Sequence, residues 1–208
     1  MSVISKLASS LGRRDETPNE ELAKEIVANK DKKAIKELVA HLSDSDKKIQ
    51  SDCIKVLYEV GEQAPTLISS YANEFIALLD NKNNRLQWGA MTAIDAIAEE
   101  TADIIYPALG KIIDIADKGS VITTDHCVSI LIKLCAVKKY AEDCFQLLIE
   151  QLKSSPTNQL PMYAEQAIPI INKDNKTQFI KVLTERLPDI EKDTKRARVE
   201  KVIKKVSK

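Results

Sequence analysis

The chain has 208 residues, of which 31 are basic and 31 are acidic, so its formal net charge is zero at pH 7. A general nucleic-acid binder normally carries a basic excess that displaces counterions, and this balance argues against that class. Glycine and proline are scarce, at 5 and 7 residues, and aromatic residues make up 4 % of the chain. This composition predicts an all-α protein. No apolar run reaches the length of about 18 residues that a membrane-spanning helix needs.

The N-terminal segment 2–11 is predicted to form a short helix, because its apolar residues recur at helical spacing. Lys6 interrupts the apolar run and no small-residue cleavage site follows, so a secretory signal is not expected. We interpret residues 1–18 as an N-terminal docking helix and loop, and we expect a cytoplasmic protein. The apolar residues of the segment are Val3, Ile4, Leu7 and Leu11.

Beyond this segment, apolar helical patterns alternate with short polar turns. The turns contain Asp, Ser, Thr and Asn, which can cap the next helix by accepting hydrogen bonds from its free N–H groups. The last helix is rich in lysine and arginine and has one apolar stripe. It is predicted to be a C-terminal capping helix over 190–206, and a docking site for an acidic partner is the alternative. The other predicted helices are 19–29, 32–42, 46–61, 65–80, 83–99, 102–117, 121–136, 138–153, 158–172 and 174–187.

A period of 37 residues runs through these helices. A fixed period of this size indicates a solenoid, in which each unit is too small to bury its own apolar face and stacks on its neighbours. We therefore predict a single repeat domain over 19–206. The rows that define the period and are expected to form the core are Cys53, Ala90, Cys127 and Ala164; Leu57, Ile94, Leu131 and Ile168; and Val60, Ile97, Leu134 and Ile171.

The segment 37–50 resembles a HEAT repeat, because an apolar helix leads through an Asp-rich turn, 43–46, into a second helix. The family usually opens that second helix with a Val-Arg pair. This chain has Ile49-Gln50 and Leu86-Gln87 instead, which removes the family's Asp–Arg ladder between units at those positions. The resemblance covers nearly the whole chain. It implies an all-α, right-handed, armadillo-like solenoid of about five HEAT-like helix pairs, of a bacterial or archaeal type, with the role of a scaffold or adaptor.

The repeat row of Ser51, Trp88, Asp125 and Met162 diverges most between copies. On a helical wheel this row lies opposite the core direction, so serine and aspartate are the residues expected there. Trp88 is the only tryptophan, and we predict that it is partly exposed and anchors a partner, since tryptophan is common in interface hot spots. The alternative is that Trp88 packs over a neighbouring helix, with Gly89 giving it room.

The adjoining row places His126 and Tyr163 in the first turns of stacked helices, where free N–H groups favour carboxylates or phosphates. We predict that the two rows and their neighbours form one partner-binding stripe, and the alternative is a set of helix caps with ordinary surface variation. The predicted site residues are Asn83, Arg85, Gln87, Trp88, Thr124, Asp125, His126, Met162 and Tyr163, with Asn158 and Gln159 beside them.

No catalytic residue, metal ligand or cofactor is predicted. The cysteines form no CxxC pair, and Cys53 and Cys127 take a repeat position that alanine fills elsewhere, so we interpret them as packing residues. Asp125, His126 and Cys127 include nucleophile-site residue types, but adjacent helical residues point about 100° apart and cannot form a relay. With only two histidines, the di-iron branch of HEAT proteins is excluded.

The sequence therefore predicts a non-catalytic scaffold or adaptor, a monomer that binds a protein or peptide partner through the HEAT-repeat surface. The alternative is nucleic-acid binding or DNA repair, because some HEAT-like proteins are DNA glycosylases. Trp88, Asp125 and Tyr163 supply residue types that those enzymes use. The absence of a net basic charge and of further tryptophans argues against this alternative.

Overall fold

The computed structural model describes residues 2–208, and these contain twelve α-helices, seven short 3-10 turns and no strand. The contacts divide the chain into two compact units, Met1–Cys127 and Val128–Lys208. No helix in the described residues is both long and apolar enough to cross a bilayer. The helices are α1 Thr17–Asn29, α2 Lys32–Ala40, α3 Lys47–Gln63, α4 Ala72–Leu78, α5 Asn84–Ala96, α6 Ala102–Ile105, α7 Leu109–Lys118, α8 Val121–Cys135, α9 Ala141–Ser154, α10 Leu160–Ala167, α11 Lys176–Arg186 and α12 Asp193–Val206.

In the N-terminal unit, α3 packs between α1 and α5, and these three helices form one layer. Helix α2 packs on α3 and α4 packs on α5, which makes the second layer. The core lies between the layers, where the predicted rows are fully buried, because each helix turns its apolar face toward the other layer. The buried row members in this unit are Cys53, Leu57, Val60, Ala90, Ile94, Ile97 and Cys127.

In the C-terminal unit, α12 contacts α10 and α11, and α9 contacts both α10 and α11. Leu131, Leu134 and Ala164 are fully buried, as their repeat positions predict. The predictions for Ile168 and Ile171 are wrong, because both side chains are only half-buried. Helix α10 ends at Ala167, just before Ile168. The chain continues as a 3-10 turn that contains Pro169, which has no N–H to continue the helix.

Proline also shortens other helices relative to their predicted lengths. The predicted helix 102–117 is interrupted by a 3-10 turn, Tyr106–Ala108, because Pro107 cannot donate a backbone hydrogen bond. The predicted helix 65–80 begins with two 3-10 turns, the first of which contains Pro65 at its start, and becomes α-helical only in α4.

The predicted capping by polar turns is confirmed at α3 and α5 and is wrong at α10, whose N-cap Gln159 makes no side-chain cap; α2 is also capped, by an aspartate outside the predicted turns. Asp31 accepts from two backbone N–H groups of α2, and Asp46 accepts from one in α3. Asn83 accepts from the N–H of Arg85 at the start of α5, at 3.1 Å. Each cap satisfies an N–H group that has no partner inside its own helix.

The N-terminal segment is a single 3-10 turn, Val3–Lys6, rather than the predicted helix over 2–11. The backbone N–H groups that would continue a helix are used elsewhere. The N–H of Ala8 donates to Asn19 Oδ1 at 3.0 Å, and that of Ser9 donates to Asp52 Oδ2 at 2.8 Å. These bonds hold the segment against α1 and α3.

One repeat row, at positions 50, 87 and 124, links each helix to the turn or helix before it. Gln87 Nε2 donates to the carbonyl of Leu79 at 2.9 Å, and Thr124 Oγ1 donates to the carbonyl of Ala116 at 3.1 Å. The Gln50 amide donates to the backbone of the preceding turn and accepts from Asn83 of the next repeat at 3.3 Å. Neutral amide and hydroxyl groups therefore make the links at these positions, where the Asp–Arg ladder expected of a HEAT repeat is absent.

Candidate functional site

Trp88 lies in the second turn of α5 and is half-buried, so it both packs on its neighbours and presents part of its ring to solvent. The residue beside it, Gly89, is buried against Ile54 of α3. A Cβ atom on Gly89 would come within 2.5 Å of Ile54 Cγ1, so only glycine permits the close approach of α5 to α3. This approach brings Trp88 to the side chains that α3 exposes.

A pocket of 250 Å3 opens at this place, and Trp88 forms part of its wall. Its apolar wall also contains an aromatic ring from α3 and the side chain of Ile122, which is 45 % exposed on the first turn of α8. A partly exposed tryptophan next to an exposed isoleucine is an apolar patch that a partner side chain could cover. The lining residues are Glu16, Ser51, Ile54, Lys55, Tyr58, Arg85, Trp88, Gly89, Thr92 and Ile122.

Lys55 lines this pocket and forms ion pairs with the glutamates around it. Its ammonium lies 2.6 Å from Glu59, 3.2 Å from Glu16 and 3.7 Å from Glu20, and 5.0 Å from the centre of the Tyr58 ring. Burial lowers the pKa of Lys55, but hydrogen bonds with Glu59, Tyr58 and Glu16 outweigh it, and the net effect is a raised pKa. Lys55 is therefore a fixed cation whose charge is already balanced.

His126 joins α8 to α5. Its Nδ1 lies 2.8 Å from Asp95 Oδ2, and its Nε2 lies 2.9 Å from Thr92 Oγ1. The same hydroxyl of Thr92 donates to the carbonyl of Trp88 at 3.0 Å. Both ring nitrogens of His126 are thus used within the fold, and the histidine positions the helix that carries Trp88.

The structure separates the predicted stripe into residues with different roles. Gln87 and Thr124 use their polar groups to hold the preceding helix, as described above, and Asn83 caps α5. Arg85 is exposed and lines the pocket, and Asp125 is half-buried and has polar interactions of its own. In the N-terminal unit, the stripe therefore reduces to Trp88 and Arg85 as side chains open to a partner.

The two remaining stripe residues belong to the C-terminal unit. Met162 is half-buried, whereas Tyr163 is completely buried, with 0 % of its surface exposed. The interpretation of Tyr163 as a surface residue is corrected, because its side chain is packed inside the protein with no exposed surface. Beside them, Asn158 accepts a hydrogen bond from Lys195 Nζ through its side-chain oxygen at 2.6 Å.

Sequence reasoning missed Lys55, Tyr58, Thr92 and Asp95, although the repeat period contains the signal for them. Lys55 and Thr92 are 37 residues apart, as are Tyr58 and Asp95, in the same way as Ser51 and Trp88. Successive members within each helix are three or four residues apart and so share one face. The full face could have been found by extending the Trp88 row along its helix.

No protein-family model matches the chain, and no match is found among curated proteins. Solved structures do match. A designed armadillo repeat protein in complex with the peptide (KR)4 is 17 % identical, with a TM-score of 0.67 over 91 % of this chain and 87 % of that one. A second designed armadillo repeat protein is 18 % identical, with a TM-score of 0.64 over 92 % of both chains. An engineered protein is 19 % identical, with a TM-score of 0.63 over 99 % of both chains.

These similarities establish an all-α, armadillo-like solenoid as the fold of this chain. Identities below 20 % carry no residue-by-residue correspondence. A shared fold also leaves the function open, because function depends on the site rather than on its scaffold.

Proposed function

We propose that this chain is a non-catalytic scaffold or adaptor that binds a protein or peptide partner, and that the Trp88 pocket is the anchor point. The observation that carries the proposal is the half-buried tryptophan in a 250 Å3 pocket whose apolar wall includes an exposed isoleucine. An apolar side chain of the partner would enter the pocket and remove this surface from water, which is the main source of affinity in such contacts.

The neighbourhood of the pocket supports a pre-formed site. Lys55 is held by three glutamates, Thr92 by the Trp88 carbonyl, and α5 by the contact of Gly89 with Ile54. Side chains that are already ordered lose little conformational freedom when a partner binds. One designed armadillo repeat protein of similar fold was solved with a bound peptide, which is consistent with peptide binding by this type of scaffold.

The chemistry of the described residues supports a non-catalytic role. Burial raises the pKa of the Cys127 thiol to about 12, so the reactive thiolate is not formed at neutral pH. The neighbouring His126 is held between Asp95 and Thr92. The residue types of a nucleophile site are thus present without an activated nucleophile.

We also propose HEAT-type repeats, a cytoplasmic location and a monomeric state. The Asp-rich turn before α3 supports the first of these, and the free cysteines support the second, because disulfides are rare in reducing compartments. The division into an N-terminal segment, 1–18, and a repeat domain, 19–206, ending in a capping helix, stays a prediction.

The test is selection of a phage-displayed peptide library on the full chain, followed by measurement of Kd for the enriched peptides. Trp88→Ala should weaken binding by about 2 kcal/mol or more, the scale of an interface hot spot. Ile104→Ala is the matched control, because it removes another exposed apolar side chain, 38 % exposed, on α6. A library that yields no binder, or binders that are indifferent to Trp88→Ala, would refute the proposal.

A further inference from the structure

A second and larger groove, of 700 Å3, adjoins the Trp88 pocket. It lies between the segment that precedes α1 and the first turns of α3 and α5, and it shares Glu16, Ser51 and Arg85 with the pocket. The two depressions are therefore continuous. Five basic and three acidic side chains line the groove: Arg13, Arg14, Lys47, Lys48 and Arg85, with Asp15, Glu16 and Asp52.

The three acidic side chains of the groove are already used by the fold. Asp15 forms a two-pronged ion pair with Arg13, at 2.8 and 2.9 Å. Asp52 accepts from the N–H of Ser9 at 2.8 Å and from Asn19 at 2.9 Å. Glu16 pairs with Lys55, as described above.

The basic side chains are not balanced in the same way. Among residues 2–208, no carboxylate forms an ion pair with Arg14, Lys47, Lys48 or Arg85. All four are exposed. The groove lining therefore has two more basic than acidic side chains, although the chain as a whole is neutral.

The positions of three of these cations increase the imbalance. Lys47 and Lys48 lie in the first turn of α3, and Arg85 lies in the first turn of α5, and neither first turn contains an acidic residue. The N-terminus of a helix has a partial positive charge, which favours anions and disfavours cations. At α3 the N-cap carboxylate of Asp46 offsets part of this effect, whereas the N-cap of α5 is the neutral Asn83. Arg85 is therefore the cation that conflicts most with its helix end, and such local conflicts are expected where a site serves a ligand.

We infer that this groove binds an acidic segment of the partner peptide, next to the apolar side chain that enters the Trp88 pocket. The inference rests on the proposed function and gives the partner its chemistry. Charge complementarity selects the occupant: carboxylates of the partner would pair with Arg14, Lys47, Lys48 and Arg85, which form no ion pair within residues 2–208. The (KR)4 peptide of the structural neighbour has the opposite charge, so this chain is expected to differ from it.

A peptide fits these observations better than a nucleic acid. Nucleic-acid binding draws its affinity from many phosphate contacts along an extended basic surface. Here the four lining cations that form no ion pair within residues 2–208 are confined to one short groove, and the adjoining pocket is apolar. An acidic peptide with one apolar residue satisfies both parts of the surface.

The experiment uses the full chain and fluorescent probes read by anisotropy. The probes are an oligoglutamate peptide with one terminal leucine, the matching oligolysine peptide, and single-stranded oligothymidylate. The oligoglutamate peptide should bind more tightly than the oligolysine peptide, and its affinity should fall as salt is raised. The double variant Lys47→Glu, Lys48→Glu should lose roughly tenfold or more in affinity.

The matched control is Lys204→Glu with Lys205→Glu, the same charge change at two exposed lysines of α12 that make no ion pair within residues 2–208. Circular dichroism verifies that each variant is folded. Absence of oligoglutamate binding, an equal loss in the α12 control, or tighter binding of oligothymidylate through the same lysines would overturn the inference.

Failure of this inference can be told apart from failure of the proposed function. If library-selected peptides lose affinity with Trp88→Ala but not with the Lys47 and Lys48 reversal, the pocket stands and the acidic groove is refuted. If oligoglutamate binding depends on the lysines but is indifferent to Trp88→Ala, the groove stands and the anchor is refuted.

Discussion

Gly89 of α5 lies against Ile54 of α3 so closely that a side chain on residue 89 would overlap the isoleucine. This contact sets the distance between two neighbouring repeats at the place where the candidate pocket forms. Trp88 precedes the glycine in the chain, so the same contact decides how far the tryptophan extends over α3. The packing of the repeats and the shape of the site therefore depend on one small residue.

Gly89→Ala should destabilise the protein by about 1–3 kcal/mol, because the added methyl group must displace Ile54 in a packed core. Gly110→Ala on α7 is the control, since nothing lies within 4 Å of the position that its Cβ would take. Alanine has a higher helix propensity than glycine, so Gly110→Ala should stabilise the protein by up to about 1 kcal/mol. Urea unfolding measures both, and equal effects would contradict the assigned contact.

Leu131→Ala should cost about 2–5 kcal/mol, the usual range for truncating a fully buried leucine. Ile168→Ala, at the same row one repeat later, should cost clearly less, because this side chain is only half-buried in a 3-10 turn. The comparison tests whether the end of α10 leaves the repeat pattern. Similar losses in denaturant melts would show that both positions belong to the core.

Trp88 is the only tryptophan, so its fluorescence reports on the pocket alone. Because the ring is half-buried, we expect emission between that of a core and a free indole, with partial quenching by acrylamide. A bound peptide that covers the pocket should shift the emission to the blue and reduce the quenching. Emission that acrylamide cannot quench in the free chain would mean that the ring is closed to partners.

Cys53 and Cys127 should react slowly with a thiol reagent in the native state. Both side chains are fully buried, and burial raises the pKa of each thiol to about 12. A Cys135→Ser, Cys144→Ser variant isolates the two thiols for the measurement at pH 8. Their reaction should accelerate when urea unfolds the chain, and rapid labelling before unfolding would disprove the packing role.

Glu62→Gln should stabilise the protein at pH 7. Burial, and next the neighbouring Glu59, raise the pKa of Glu62 in the folded state. A raised folded-state pKa contributes stability that is present below the unfolded pKa and is lost as pH rises through the folded value. The stabilisation by Glu62→Gln should therefore increase as pH rises through the folded-state pKa of Glu62, and it should vanish in acid, where the glutamate is neutral in both states. Glu21→Gln on α1 serves as the control for loss of one charge.

The repeat period by itself determined the helical layers and most of the core. A residue that recurs every 37 positions is expected at the same place in every unit, and the burial of Cys53, Ala90 and Cys127 follows from their register. The same register singled out Trp88, because its repeat row points away from the core. Ile168 departs from its row because α10 ends just before it. Helix ends were less well determined, because Pro107 and Pro169 act locally within an otherwise regular pattern.

Only the tertiary structure decided which polar side chains face a partner and which support the fold. Gln87 and Thr124 lie outside the core rows, and whether such a side chain turns to solvent or to a carbonyl depends on how closely the preceding helix approaches. The N-terminal segment has no repeat register at all. This segment lies beside Lys47 and Arg85 and so completes the basic groove. Its position depends on hydrogen bonds to Asp52 from Ser9, 43 positions away, and from Asn19, 33 positions away.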